Sequence, residues 1–269
     1  MTLEILISTI DNGINSVADV LTTPMKGVSY LISWQQSSDE YPQEVPEILR
    51  YRDDVKVITL KGKGLSRNRN YAIKHATGDI CLLADDDVRY NPLRFRSIME
   101  TFEEHPTLDI ATFKYESHTN HKRYPSATFD ISVPTRGYYV TACEIAFRRK
   151  AVQNVIEFNE NFGHGVEELP YGETELFIKD AIAKGMQCFF FPRVIVSKET
   201  TAENPTKVSR PAILMARGAV LRALYPRWRH IKYWFSAKRI SRYTDMSFLT
   251  AYVYLLRGGR IAKRLGLVY

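Results

Sequence analysis

GKGLSRNRNYAIKHATGDICLLADDDV, Gly62 to Val88, is the stretch from which the reading of this chain follows. It closes in three consecutive aspartates, Asp85, Asp86 and Asp87, directly after the apolar run Ile80 to Ala84. Adjacent carboxylates repel one another, so at the end of a buried strand they point to a cation. A hard dication such as magnesium or manganese takes oxygen ligands, often one or two carboxylates plus the oxygens of a phosphorylated substrate. Lys61, Lys63, Arg67 and Arg69 stand just upstream, where they could face the same phosphates. The local reading is a strand-end metal and diphosphate site. The plainer alternative is a solvated acidic turn, since a motif without its context is only a hypothesis.

Outward from this stretch, short apolar runs alternate with helical ones. Leu3 to Ile10, Val28 to Ser33, Val55 to Leu60 and Ile80 to Ala84 read as strands. A short helix is expected near Ile14 to Leu21, and a second over Ser66 to His75, stopped by Gly78. Gln35 to Glu47 reads as a loop. Further along, the pattern predicts a helix over Pro92 to His105 and strands over Ile110 to Tyr115 and Tyr138 to Phe147. A helix over Glu173 to Lys184 and a last strand over Cys188 to Val196 follow. Glu116 to Gly137 is a long polar stretch, and loops of that length in compact domains are usually functional or disordered. This alternation predicts an α/β fold with a mostly parallel sheet and helices on both faces. Ligands of such sheets bind beyond the carboxyl ends of the strands. The aspartates lie at one such end and the turn after Ser8 at another.

The 269 residues carry a net charge of +7, unevenly spread. From Thr200 to Tyr269 there are 14 Lys and Arg against two acids, Glu203 and Asp245, a net +12. The remainder carries 23 bases and 28 acids, a net −5. The composition therefore divides the chain into a body, residues 1–199, and a basic, aromatic, helical C-terminal extension, residues 200–269. Such a tail is expected to meet something anionic. Its mixture of Leu221, Trp228, Tyr233, Trp234 and Phe235 with Arg and Lys suits a membrane interface. An ordinary helical subdomain packed on the body is the alternative. No nucleic-acid motif is visible, and the acidic body speaks against that partner. Cys81, Cys143 and Cys188 are odd in number and widely spaced, as expected of buried thiols in a reducing compartment. The start MTLEILISTID reads as a strand rather than a signal peptide. No run approaches the roughly 20 apolar residues that span a bilayer. The expected location is cytoplasmic, with the tail placing the protein peripherally on the inner face of the membrane.

The run from Gly64 to Asp87 resembles the family 2 glycosyltransferases of the GT-A, Rossmann-like fold. The family commonly reads G-L-S-x-A-R-N-x-G-I, then G-D-Y-I, then a strand closing in D-x-D. Gly64, Leu65, Ser66, Arg69, Asn70 and Ile73 stand in the matching places, followed by Gly78, Asp79 and the aspartates. The resemblance covers roughly residues 3 to 198. It implies an inverting enzyme that moves a sugar from a nucleotide-sugar donor, a UDP-sugar above all, with Mn2+ or Mg2+. By its pattern Asp87 ligates the metal, and Asp85 orients the ribose or joins the metal. Thr9, Asp11, Ser66, Arg69, Asn70 and Asp86 are implied at the nucleotide. Where the family has D-D-G-S-T-D after its second strand, this chain has Trp34-Gln-Gln-Ser-Ser-Asp39. The base-reading carboxylate is absent. Gln35 offers a donor and an acceptor to a base edge, and Trp34 either stacks on the base or packs against a helix. The family's G-E-D aligns with Gly172, Glu173 and Thr174, which makes Glu173 the first candidate base and Glu175 the second. A histidine often follows the last strand, and Val196-Ser-Lys-Glu199 offers no clear match.

The implied acceptor is a sugar or lipid-linked saccharide hydroxyl in surface polysaccharide or glycolipid synthesis. Glu116 to Gly137 and the loop before Glu173 are expected to shape its site. Two other classes compete. A nucleotidyltransferase normally shows a Gly-rich basic loop after its first strand, and Ser8-Thr-Ile-Asp-Asn-Gly13 has no Lys or Arg. A degenerate protein that binds nucleotide-sugars without turnover would explain the departures at Trp34 and Thr174.

Overall fold

The computed structural model describes residues 1–41, 43–117, 122–133, 138–198 and 210–267. The expected boundary at 199/200 and parts of the Glu116 to Gly137 stretch lie outside these residues. Two units are formed, one from residues 1–158 with 180–198 and one from residues 159–179 with 210–267.

The first unit is built on a sheet. β1 (Leu3–Ile10) is a run of β-branched and aliphatic residues buried on both faces, as an inner strand of a covered parallel sheet must be. It lies between β2 (Val28–Gln36) and β4 (Ile80–Asp85), both parallel to it, and β3 (Val55–Lys61) extends β2 in parallel. Beyond β4 come β8 (Ile145–Arg148), β6 (Ile110–Glu116), β9 (Cys188–Lys198) and β5 (Val88–Arg89). Only β6 and β9 pair in parallel there. The β4–β8, β6–β8 and β5–β9 ladders are short and antiparallel, and β7 (Phe129–Asp130) pairs antiparallel with β9.

α1 (Glu47–Arg50) is a single turn, and α2 (Leu65–His75) packs on β1 and β2. α3 (Pro92–Glu104) packs on β9. Its start is set by Pro92 in the first turn and by Asn91, whose side chain accepts from the Leu93 amide. Trp34, Tyr30, Phe95, Phe102 and Phe113 fill the core with no exposed surface to speak of. At the amino ends of the strands Glu4 is buried, yet its carboxylate accepts from the Thr77 and Gly78 amides at 2.6 and 2.9 Å. Bonds to a charged acceptor contribute about 1.5–3 kcal/mol each, so this pair fixes the turn that leads into β4.

Three local expectations are corrected. The helix expected at Ile14 to Leu21 is a 3-10 segment, Asp11–Asp19. Its buried residues Ile14, Val17 and the following Val20 recur every three positions, the period of a 3-10 turn rather than of an α-helix. β2 runs on to Gln36, so Trp34 lies opposite Thr9, and Gln35 is a strand residue opposite Ile10 rather than the start of a loop. The strand expected over Tyr138 to Phe147 begins only at Ile145. A 3-10 turn, Ala142–Glu144, precedes it, because the Glu144 side chain accepts from the Thr141 amide and winds the backbone back.

α4 (Arg149–Val152) ends in the loop to Phe158, and α5 (Glu173–Ala183) crosses the boundary between the units. The second unit is helical, with α6 (Pro211–Leu224), α7 (Arg229–Tyr243) and α8 (Phe248–Arg264). α6 and α8 approach closely because of two glycines. A Cβ on Gly218 would stand 2.1 Å from the Leu255 carbonyl oxygen, and one on Gly258 1.8 Å from that of Met215. Phe162, Leu169 and Leu176 share a core with Ala216, Ala219 and Val220, which ties residues 159–179 to these helices.

Candidate functional site

The parallel ladders bring the carboxyl ends of β1, β2 and β4 to one edge of the sheet. Ser8 lies opposite Asp85, and Thr9 opposite Trp34. Because β1 is followed by β2 on one side and β4 on the other, this edge is the switch point where doubly wound sheets hold their ligands.

At the β1 end, Asp11 takes a left-handed backbone conformation, φ 50°. Its carboxylate accepts from the Ser37 amide at 2.8 Å and the Ser37 hydroxyl at 2.7 Å. Its carbonyl accepts from Trp34 Nε1 at 2.9 Å. The Trp34 ring is fully buried, so this indole packs in the core and holds the turn rather than presenting a face at the surface. Gln35 beside it is also buried, and among the described residues its Nε2 has no partner. Thr9 donates its hydroxyl to Asp86 Oδ2 at 2.5 Å. Gly13 is the cradle for that bond, since a Cβ there would lie 2.5 Å from both oxygens.

α2 supplies the next layer. Its start at Gly64, φ 123°, brings Ser66, Asn68 and Arg69 inward, all three buried. Asn68 Nδ2 donates to the Thr9 carbonyl at 2.9 Å. Arg69 Nη2 donates to Asp85 Oδ1 at 2.9 Å, and its guanidinium lies 5.4 Å from the centre of the Phe158 ring. Asn70 holds Phe158 through two bonds, Nδ2 to its carbonyl at 2.9 Å and Oδ1 from its amide at 2.8 Å.

Asp85, Asp86 and Asp87 differ in electrostatic state. Burial opposes the charge of Asp85, but the Arg69 and Lys198 cations outweigh it and hold its pKa at about 2. Burial raises the pKa of Asp86, and its two acidic neighbours add to the rise against the Thr9 bond. Asp87 is the most exposed of the three, its side chain 55% accessible. Lys198 Nζ stands between the first and the last, 2.9 Å from Asp85 Oδ2 and 2.9 Å from Asp87 Oδ1. The antiparallel pair Val88 and Lys198 in β5 and β9 puts it there.

The fit of a dication can be judged from this ammonium. It is a cation on which Asp85 and Asp87 already converge, and carboxylate oxygens are the donors that a divalent ion would take. Among the described residues no group of three His, Cys, Asp or Glu side chains could hold a metal by itself. Two carboxylates completed by phosphate oxygens is the usual arrangement for magnesium. The sequence pointed to Asp85 and Asp87 but not to Lys198. The one available signal was its place at the end of the last strand.

A second buried cluster was also missed. Lys122 Nζ is 2.6 Å from Glu144 Oε2, with side chains 1% and 0% exposed. Tyr124 donates its hydroxyl to the same carboxylate. The ammonium sits 4.8 Å from the Tyr124 ring centre and 4.2 Å from that of Tyr139, a cation–π cage. It ties Lys122 and Tyr124 to Glu144 of the 3-10 turn before β8.

Glu173 and Glu175 belong to the second unit, in the first turn of α5. Gly172 before them has φ 105°, and a Cβ there would lie 2.3 Å from Val220 Cγ2, so only glycine fits this turn. Tyr171 donates its hydroxyl to Glu175 Oε1 at 2.6 Å. Burial raises the Glu175 pKa; the Tyr171 bond opposes this, and the Glu173 charge adds to the rise. Thr174 is buried between them.

On the second unit's surface, α7 buries Tyr233, Ser236, Ala237 and Ile240. Ile231, Trp234 and Phe235 stay exposed, the last two 44% and 61% accessible, and Lys238 Nζ lies 4.8 Å from the Trp234 ring. No helix among the described residues is long and apolar enough to cross a membrane.

The glycosyl transferase family 2 model matches residues 7–165, more than half of the chain. Among solved structures, S. aureus TarS 1-349 superposes with a TM-score of 0.59 at 18% identity, covering 82% of this chain. The same protein in complex with UDP-GlcNAc gives 0.60 at 16%. A longer S. aureus TarS structure gives 0.59 at 19% over 92% of this chain. This chain spans 66% of the shorter TarS structure and 44% of the longer one. The shared architecture is the GT-A fold. No curated protein matches the chain.

Proposed function

The chain belongs to the family 2 glycosyl transferases, and from that membership we propose that it moves a sugar from a nucleotide-diphosphate donor to an acceptor hydroxyl, inverting the anomeric carbon. The observation that carries this reading is the cluster of Asp85, Asp87, Arg69 and Lys198 at the carboxyl end of β4, beside the end of β1. Carboxylates that converge on a movable ammonium, beside a fixed guanidinium, suit a diphosphate and its counter-ion. A TarS structure that holds UDP-GlcNAc supports a UDP-sugar as the donor class.

A Mg2+ or Mn2+ held by Asp85 and Asp87 supplies Lewis-acid stabilisation to the departing diphosphate when bound. The chain's own residues do the remainder. Arg69 fixes Asp85, and Thr9 fixes Asp86, so the carboxylates are preorganised. Gln35, with its unpartnered Nε2, is the candidate reader of the base edge, and Asp11 with Ser37 holds the turn beside it. In the transfer the acceptor oxygen forms a bond to the anomeric carbon. The bond from that carbon to the diphosphate breaks, its electron pair leaves on the diphosphate oxygen, and the acceptor proton passes to a carboxylate. Glu173 is the proposed base, on its place in the family motif. Glu175 is the second candidate, and burial, by raising its pKa, makes its carboxylate the stronger proton acceptor.

The exposed Ile231, Trp234 and Phe235 on α7, set in a segment of net charge +12, support placement on an anionic membrane surface, where aromatics sit at headgroup depth. A lipid-linked saccharide acceptor, in surface polysaccharide or glycolipid synthesis, agrees with that placement. The test is a panel of nucleotide-sugars assayed by thermal shift and by release of nucleoside diphosphate, with and without Mn2+. A UDP-sugar is expected to stabilise the protein and be turned over. Stabilisation without release in the presence of varied acceptors would leave a binding protein, and no shift with any donor would remove the reading.

A further inference from the structure

We propose that Lys198 competes internally for the cation position of this site. Its ammonium holds Asp85 and Asp87 in the nucleotide-free protein and passes to the donor's diphosphate when a divalent cation takes the two carboxylates. Metal and nucleotide thereby load together. The inference rests on the nucleotide-diphosphate reading above and assigns Lys198 a role that the family motif does not contain.

The geometry points to competition because the oxygens are the same. Asp85 Oδ2 and Asp87 Oδ1, the pair on which a dication would sit, are each 2.9 Å from Lys198 Nζ. An ammonium and a metal ion cannot occupy that point together. Asp85 is not the partner that can move away, and Asp87 is tethered two residues along the same turn. Asp85 Oδ1 is held by Arg69 at 2.9 Å, and Asp86 between them is held by Thr9 at 2.5 Å. Lys198 has its backbone fixed by pairing with Val88, but its charge ends a flexible four-carbon stem. The ammonium is therefore the mobile element.

Two facts explain why loading is joint. Among the described residues the protein offers no three-ligand set, so phosphate oxygens must complete the metal's shell. A displaced ammonium also needs a new anion. With three N–H donors and no acceptor capacity, it is costly to leave unpaired beside a dication. The diphosphate satisfies both needs at once, as ligand to the metal and as acceptor for Lys198. A nucleotide that helps release Lys198 from Asp85 and Asp87 must tighten the metal, and the metal must tighten the nucleotide by the same factor.

The experiment is a Mn2+ titration of the full chain followed by electron paramagnetic resonance of the free ion, without nucleotide and with saturating UDP. Wild type is compared with Lys198→Met, which keeps the stem and loses the charge, and with Lys198→Gln as a second, polar replacement. Circular dichroism checks that each is folded. Wild type is expected to bind Mn2+ weakly alone and about 5- to 150-fold more tightly with UDP, the usual range of such coupling. Both variants are expected to bind Mn2+ more tightly than wild type without UDP and to gain less from it. Equal nucleotide-free affinities in all three proteins, or an undiminished UDP effect in the variants, overturns the proposal. The nucleotide-free arm involves no donor. Raised Mn2+ affinity in the variants beside a failed donor panel would therefore keep the competitor and discard the transferase.

Discussion

Arg69 Nη2 donates to Asp85 Oδ1 at 2.9 Å, joining the first turns of α2 to the strand end that carries the three aspartates. The guanidinium is only 4% exposed and the carboxylate 25%, so the pair is screened less than a surface ion pair. It gives the candidate site a fixed charge in a place where repulsion among carboxylates would otherwise loosen the turn.

A pH dependence follows from that pair. Burial disfavours the Asp85 charge, yet Arg69 and Lys198 lower its pKa from 3.8 to about 2. A depressed carboxylate stabilises the fold above its unfolded pKa and loses that contribution as pH falls through the folded value. The loss is therefore expected between about pH 4 and pH 2, and amounts to on the order of 2 kcal/mol. Arg69→Ala should be less stable at pH 7 and should lose less between pH 4 and pH 2. Urea denaturation at stepped pH measures both, and parallel curves for the two proteins would refute the linkage.

The buried Lys122 and Glu144 pair yields a second expectation. Removing one partner leaves an uncompensated charge, which costs about 3–5 kcal/mol. Lys122→Met should be destabilised by that order. Combining Lys122→Met with Glu144→Gln should recover a substantial part, since the amide oxygen introduced by the second change can still accept from the Tyr124 hydroxyl. Chemical denaturation of the single and double variants decides it; simple additivity of the two losses would mean that the charges are not coupled.

For the base, Glu173→Gln is expected to lower turnover by ~10²–10⁴, the usual contribution of general-base catalysis, with UDP affinity nearly unchanged. A larger fall in Glu175→Gln moves the role to Glu175. In that case the acid limb of the kcat/KM profile should lie above the ordinary Glu range, because burial raises this carboxyl and a base must be deprotonated to act. Turnover unaffected by either change removes both candidates.

On the second unit, Trp234→Ala with Phe235→Ala should weaken sedimentation with anionic vesicles while leaving the fold intact, since both rings are exposed. Binding of the unaltered protein should also weaken as salt rises, because exposed charges are screened over ~8 Å at physiological ionic strength. Equal sedimentation of both proteins with anionic and neutral vesicles would exclude a membrane surface as the partner of this face.

The sequence by itself determined what local pattern can encode. Strand-length apolar runs, the glycine and proline stops, and the aspartates directly after Ile80 to Ala84 placed the β1, β4 and α2 ends that frame the site. Carboxylates at the end of a buried strand speak for a cation within a few residues of chain. At Ile14, Val17 and Val20 the local pattern gave a short helix, and the folded chain set its bounds and its 3-10 winding. What occupies the cation position was decided only by tertiary structure. Lys198 lies 113 positions from Asp85, and it is brought there by a two-residue antiparallel ladder, too short to leave any periodic signal. The Lys122 cage is likewise closed by residues from separate segments, because burying an ammonium requires a carboxylate and several rings at one point in space. Charges that look solvated along the chain become paired when the sheet closes, since in the folded core the desolvation cost of each is offset only by a partner that the fold supplies.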